Sequence, residues 1–467
     1  MDDPCVRGFA LDRDRRPVRA AAPLPPSRPQ GLFRLLWTLN TNPLAAWPAH
    51  HYEEPIVVGQ TPLGRFAMVS DPDAIRKILV EEECNYRKDD LQNLLLKPAL
   101  GNGLLTSSGS AWRCQRRAFA PAFSMRAIAS HASVMWMEAE ALALRLARYN
   151  DTIVDVSEHL AHSMLDTLAR TLFSDGFGHN PDDFRHAATR YFETQGRIDP
   201  LDLLGAPAWV PRLGRFLSRP ALEFFPKVVA AILADRRGCL RSDDATDFLD
   251  HLLAARSEET GGPLSKEDIA ANIITFIGAG FETPANAMSW AIYLLSLDDG
   301  WRCKVEREVD TVLTKGSENI LFEEFVTIRA LLEEAMRLYP PVAILSRLAL
   351  TDHILGGREI KKNTTVIISP WVLHRHRRQW NQPECFDPVR FMPKYRGTIP
   401  RYAYLPFGAG PRVCIGAAYA MQQMTATLAA LIHRFRFDLA PGHKVRPVHR
   451  ITLRPEGGMR MRVSRRR

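Results

Sequence analysis

The stretch Tyr404-Leu-Pro-Phe-Gly-Ala-Gly-Pro-Arg-Val-Cys414-Ile-Gly-Ala-Ala sets a single cysteine in a glycine-rich loop, just ahead of a helical pattern running from about Ala417 to Phe435. Glycines 408, 410 and 416 let the backbone turn tightly and come close to a large flat object. A cysteine before a helix N-terminus sits in positive potential, which favours thiolate over thiol. One thiolate cannot hold a zinc ion, whose structural sites take several Cys or His ligands. A metal that arrives with four ligands already in place needs only one more. The rival chemistry is a nucleophilic cysteine, which wants a histidine base brought close by the fold. Fourteen histidines leave that open, although none stands in a recognisable cysteine-hydrolase motif.

Three further groupings carry chemistry. Ala279-Gly280-Phe281-Glu282-Thr283 puts an acid and a hydroxyl inside a strongly apolar helical pattern, where each needs a partner to be buried. A mid-helix threonine often bonds only the carbonyl four residues back. Trp112 and Arg116, four apart, share a helix face, and an indole N–H beside a guanidinium makes a receptor for a carboxylate. Glu334 and Arg337, three apart, can pair, though an exposed pair of this kind contributes under about 1 kcal/mol.

Phe407, Gly410, Arg412, Cys414 and Gly416 fill every fixed position of Phe-x-x-Gly-x-Arg-x-Cys-x-Gly, and the run resembles the haem-binding signature of the cytochrome P450 family. Trp112-x-x-x-Arg116 resembles the family's haem-propionate helix. Ala279 to Thr283 resembles its oxygen-binding motif, and Glu334-x-x-Arg337 before Leu-Tyr-Pro-Pro its structural Glu-x-x-Arg helix. Pro388-Val-Arg390-Phe391 resembles Pro-Glu-Arg-Phe, with valine in place of the glutamate, which puts one hydrogen bond of Arg390 in doubt.

The resemblance implies a mainly helical cytochrome P450 fold with a smaller β-rich region. It implies haem b with an axial thiolate from Cys414, which pushes electron density onto the iron and favours O–O cleavage. It makes Trp112, Arg116, Arg347, His374 and Arg412 contacts of the haem carboxylates, and Glu282 and Thr283 a proton relay to dioxygen. Glu334, Arg337 and Arg390 become a structural network. The implied activity is a monooxygenase that places one atom of dioxygen in a lipophilic small molecule, by C–H hydroxylation or epoxidation. Alternatives are a non-catalytic haem sensor or carrier, a peroxide-driven peroxygenase, and an isomerase or dehydratase on the same fold. Leu104, Leu105, Phe276, Ala279, Val342, Ile344, Leu345 and Thr452 are the candidate pocket lining, suited to a terpenoid, sterol or fatty acyl chain.

The elements that must position these groups follow from pattern. Strands are expected at Pro55–Gly59 and Arg65–Val69, and Asp71-Pro72 should start a helix running to about Val80. Glu81-Glu-Glu83 reads as a solvated charge cluster. Mostly helices are expected from about Ser133 to Ala255, broken by the apolar, proline-rich loop Asp199–Pro211, which by analogy forms a lid. Ser265 caps a helix to about Ser296, with few polar positions and therefore central in the fold. Pro284 cannot donate to the Gly280 carbonyl, so the helix is expected to open locally there.

The chain has 467 residues, 46% of them hydrophobic and 24% charged, an ordinary globular composition. Residues 1–30 read as a mobile proline-rich lead and 31–467 as a single large domain. Gly31 to Leu39 could touch a membrane surface, though packing on the body is the reading preferred. The seven scattered cysteines argue for a reducing compartment and against a disulfide framework. No run is long enough to span a membrane. A net charge of +9 suits an acidic partner, with no nucleic-acid motif beside it. The expectation is a cytoplasmic enzyme that takes electrons from a separate ferredoxin or flavodoxin with its reductase.

Overall fold

The computed structural model describes residues 17–61, 64–173, 181–207, 209–238, 247–256, 261–315 and 321–466. Among the described residues helices dominate, and four small sheets lie beside them. The helix Lys266–Ser296 runs through the middle, with Ser265 Oγ accepting from the Asp268 amide at 3.0 Å, as the cap required. Almost every residue from Phe281 to Leu295 is buried, so the apolar pattern has neighbours on all sides. Those neighbours are the helices Val156–Leu172, Val326–Leu338 and Ala417–Arg434. Trp290 stacks on Tyr339 with ring centroids 3.9 Å apart, fixing the central helix to the chain that leaves Val326–Leu338.

The helix is continuous through Pro284, and the local opening expected there is not a break. The proline removes one donor, but Gly280 lies on an interior stretch of this helix that is not fully packed. Its carbonyl there is not sealed in an apolar core, and packing of the flanking turns holds the axis.

The largest sheet has five strands in the order Ile56–Thr61, Gly64–Val69, Thr365–Ile368, Leu345–Ala349, Tyr86–Lys88. Gly64–Val69 runs parallel to Thr365–Ile368, and the other pairs are antiparallel. Thr152–Asp155, Arg460–Arg465 and Phe435–Leu439 form a second sheet at the end of the cysteine-loop helix. The Asp71 cap and Pro72 start a helix that ends at Arg76 and continues as a π-turn over Lys77–Glu81.

Two expectations gain detail. The described part of the proline-rich lead is extended but bonded to the body: Ala20 N donates to Glu384 O, Phe386 N to Val18 O, and the Tyr339 hydroxyl to Ala21 O. Cys303 is disulfide-bonded, while Cys84, Cys114, Cys385 and Cys414 are free. Residues 1–16 lie outside the described residues.

Candidate functional site

The cysteine loop is held from both sides. Leu405 N donates to His374 Nε2 at 2.8 Å, and Cys414 N donates to Phe407 O at 2.9 Å. Gly410 has a φ of +73°, and a Cβ there would lie 1.9 Å from the Leu79 carbonyl oxygen, so only glycine fits against the π-turn. Gly416 ends the loop as N-cap of Ala417–Arg434, without a side-chain cap. Its amide points at the Cys414 sulfur and favours the thiolate. Burial outweighs that amide and pushes the Cys414 thiol up, with Arg116 pulling the other way. Yet Cys414 is solvent-accessible. Both hold if the sulfur faces an internal space rather than the outer surface.

Several residues expected to line a pocket are likewise accessible. In the central helix Ala279 is exposed, and Gly278, Gly280 and Thr283 are half-exposed, between fully buried turns. Leu105, Val342 and Val413 are also exposed, and Ile344 is half-buried. Leu104 is tied down through its amide, which donates to Asn272 Oδ1 at 2.8 Å. Leu345 packs on the sheet's own core. Phe276 differs from the expectation. It is buried in a ring cluster, stacked on Phe123 with centroids 5.5 Å apart and 4.2 Å from Phe248.

Cations converge beside the loop. Arg412 lies over the Trp112 ring at 4.2 Å and donates to Ser107 O at 3.2 Å and to Glu83 Oε1 at 3.3 Å. Strand pairing sets Lys88 directly opposite Arg347, so both side chains leave one face of the sheet. Burial lowers the Lys88 ammonium to about 7, and Arg412 and Arg347 add to the fall. Burial and then Arg412 lower Arg347 to about 10. Three cations that oppose one another's charge form a receptor for anions. Lys88 gave no local signal in the sequence, and Glu83 is an ion-pair partner rather than merely a solvated acid.

His374 is not part of that receptor. It is fully buried, Nε2 is occupied by the Leu405 amide, and burial with Arg337 and Arg375 nearby lowers it to about 3. It braces the loop as a neutral ring. Arg337 underlies the same region: both side chains of the Glu334–Arg337 pair are inaccessible, with bonds of 2.7 and 2.8 Å. Arg337 also donates to the carbonyls of His374, Pro383 and Cys385. Arg390 Nε stands 3.8 Å from Glu334 Oε1, beyond hydrogen-bond reach, and the Asp387 amide fills that place at 2.9 Å.

Thr283 Oγ1 donates to Ala279 O at 2.8 Å within the helix. Glu282 is buried, and burial raises its carboxyl to about 7, with Arg454 the largest opposing influence. Arg454 Nη1 lies 3.7 Å from Glu282 Oε1, and Nη2 lies 3.5 Å from Glu193 Oε1. Glu282 Oε2 has no hydrogen-bond partner. Thr452 is buried near this acid and accepts from Asn286 at 3.4 Å, so it is a neighbour of Glu282 before it is pocket wall. Arg454 sits in a three-residue strand and was not legible as a site residue.

A single accessible cysteine in a glycine loop, beside an anion receptor, is the arrangement of a haem-thiolate protein. The family model for cytochrome P450 matches residues 50–460, and the chain belongs to that family. Cyclooctatin synthase of Streptomyces melanosporofaciens is 33% identical over 424 residues, 90% of each chain. A putative cytochrome P450 132 of Mycobacterium tuberculosis is 32% identical over 86% of this chain and 88% of its own. Human cytochrome P450 4F12 is 30% identical over 88% of this chain and 83% of its own. The crystal structure of a cytochrome P450, CYP102L1, superposes with a TM-score of 0.79, covering 96% of this chain and 100% of that one at 24% identity. The chain is a cytochrome P450 monooxygenase, an oxidoreductase. Among the described residues no helix is long and apolar enough to cross a membrane.

Proposed function

We propose that the chain inserts one atom of dioxygen into a lipophilic small molecule, by C–H hydroxylation or epoxidation, with electrons delivered by a separate redox protein. The observation that carries this reading is a carboxylic acid, Glu282, raised to about 7 next to the accessible stretch Gly278–Gly280 of the central helix. A haem carrier has no use for a buried acid poised to exchange protons near neutral pH.

Cys414 would be the axial ligand, and Trp112, Arg347, Arg412 and Lys88 would hold the haem carboxylates. Arg116 joins them once an anion competes with the Cys414 sulfur for it. The haem, when bound, supplies the oxygen-activating chemistry. Glu282, buried and raised to about 7, can hold a proton at neutral pH and release it. Thr283 can rotate its hydroxyl away from Ala279 O to donate into the open turn, at the cost of one helix-internal bond. Exposed Leu105, Val342 and Ala279 favour an apolar substrate and discourage water. Exposed Arg113 and Arg117, on the helix that carries Trp112, suit an acidic donor such as a ferredoxin or flavodoxin.

Carbon monoxide added to the reduced holoprotein tests the ligand, since a thiolate gives an absorption maximum that a histidine or thiol does not. Turnover with a surrogate ferredoxin and reductase on lipophilic compounds that shift the haem spectrum tests the reaction. Product that forms without electrons, or none across every compound that binds, refutes it.

A further inference from the structure

Two elements from distant parts of the chain meet beside the accessible stretch Gly278–Gly280 of the central helix. A Cβ on Gly278 would lie 3.9 Å from the Phe192 ring, near the end of the helix Pro181–Gln195. The hairpin of Pro447–His449 and Leu453–Pro455 stands against the next turn, where Asn286 Nδ2 donates to Thr452 Oγ1 and Arg454 faces Glu282. Helix and hairpin touch each other at Gly196, where a Cβ would come within 2.9 Å of both Arg450 Cβ and the Ile451 nitrogen. Glycine is what lets the helix end close on the hairpin tip.

Arginines gather at this junction. Arg450 is half-buried, and its Nη1 donates to Thr41 O at 2.7 Å and to His449 O at 3.1 Å. Among the described residues its Nε and Nη2 have no hydrogen-bond partner, and the guanidinium has no ion pair. Arg197, next to Gly196, is exposed and also has no partner among the described residues. The acids nearby are engaged elsewhere: Glu193 lies 3.5 Å from Arg454, which also faces Glu282, and Glu456 lies 3.9 Å from Arg446. Burial lowers Arg450 to about 10, Arg197 and Arg454 add to the fall, and Glu456 and Glu193 oppose it. A half-buried cation set among other cations, with no carboxylate of its own, is stabilised by an anion from outside the chain.

We propose, resting on the monooxygenase reading above, that Arg450 and Arg197 anchor the carboxylate of a lipophilic carboxylic acid substrate whose apolar part reaches toward Gly278–Gly280. Backbone carbonyls take only Nη1 of Arg450, which leaves Nε and Nη2 as a fork for two carboxylate oxygens. The same edge of Arg337 holds Glu334 in this way, at 2.7 and 2.8 Å. Arg454 is shared between Glu193 and Glu282, so it adds to the positive field without being the anchor.

The test is calorimetric titration of the holoprotein with tetradecanoic acid, its methyl ester and tetradecylamine. The acid should bind on the order of tenfold tighter than the ester, and the amine weakest. Added salt should narrow the gap between acid and ester. In Arg450→Gln the ratio of acid to ester affinity should fall toward one, and in Arg450→Lys part of it should return. Arg197→Gln, at an exposed residue with no partner to lose, should lower the same ratio without moving the thermal midpoint, so the test holds even where Arg450→Gln fails to fold. Equal binding of acid and ester by the wild type overturns the proposal, as does a preference that both glutamine variants keep. Calorimetry needs no turnover: a preferred acid that is never oxidised supports the anchor and counts against the monooxygenase reading alone.

Discussion

Replacing Arg454 with glutamine should raise the proton affinity of Glu282. At 3.7 Å and an effective dielectric constant of about 20, the Coulomb attraction between the two is ~4 kcal/mol. Glu193, at 3.5 Å, shares the same guanidinium, so only part of that attraction reaches Glu282. Losing even a third of it is ~1.4 kcal/mol, a tenfold change in proton affinity. Glu282 already sits at about 7, so in Arg454→Gln it would stay protonated well above neutral pH. Infrared difference titration reads this directly, as a protonated-carboxyl band missing from Glu282→Gln. The midpoint should rise in Arg454→Gln and fall in Glu193→Gln, where Arg454 is left to Glu282 alone. A midpoint unmoved in Arg454→Gln would refute the electrostatic account and leave burial as the whole cause. The same shift has a stability consequence. The folded carboxyl is raised, so its contribution is complete below the unfolded value and is lost as pH climbs through about 7. Glu282→Gln should therefore gain on wild type in thermal midpoint between pH 5 and 8.

Other substitutions probe the frame. Glu334→Ala leaves Arg337 buried without its carboxylate and should cost about 3–5 kcal/mol, read by urea unfolding, with the haem signal lost in the same transition. Gly410→Ala forces a Cβ to within 1.9 Å of the Leu79 carbonyl, so haem incorporation on reconstitution should fail even where circular dichroism shows helix retained. Lys88→Met should speed haem transfer to apomyoglobin without moving the carbon monoxide maximum, because it removes a carboxylate contact and leaves the thiolate in place. Cys414→Ala should abolish that maximum and monooxygenase activity together.

What could be read beforehand had local causes. The Ser265 cap and the unbroken apolar pattern gave the central helix to the residue at both ends, because a cap and a period are neighbours in sequence. The cysteine loop was legible because glycine at 410 answers a steric demand that no other side chain meets. Lys88 was missed because its meaning arises from pairing with Arg347, far along the chain, which no short window contains. Arg454 and Glu193 met Glu282 only through the tertiary fold. His374 depended on the fold in the same way: a histidine at the end of a short helix can face a pocket or a backbone amide, and the loop that returns at Leu405 brings the amide. At Pro284 a correct local rule met packing strong enough to keep the axis.

The bonds from Val18, Ala20 and Ala21 to Glu384, Phe386 and Tyr339 also set a timetable. Residues made early on the ribosome find their partners only when most of the chain has been synthesised, and the strand Gly64–Val69 likewise waits for Thr365–Ile368. Closure of this kind carries a large loop-entropy cost and comes late. The nascent chain must then hold a half-finished sheet edge and an uncovered helical core for much of its synthesis. Slowing elongation late in the message, near residues 365–386, should therefore raise aggregation more than the same delay placed after residue 435.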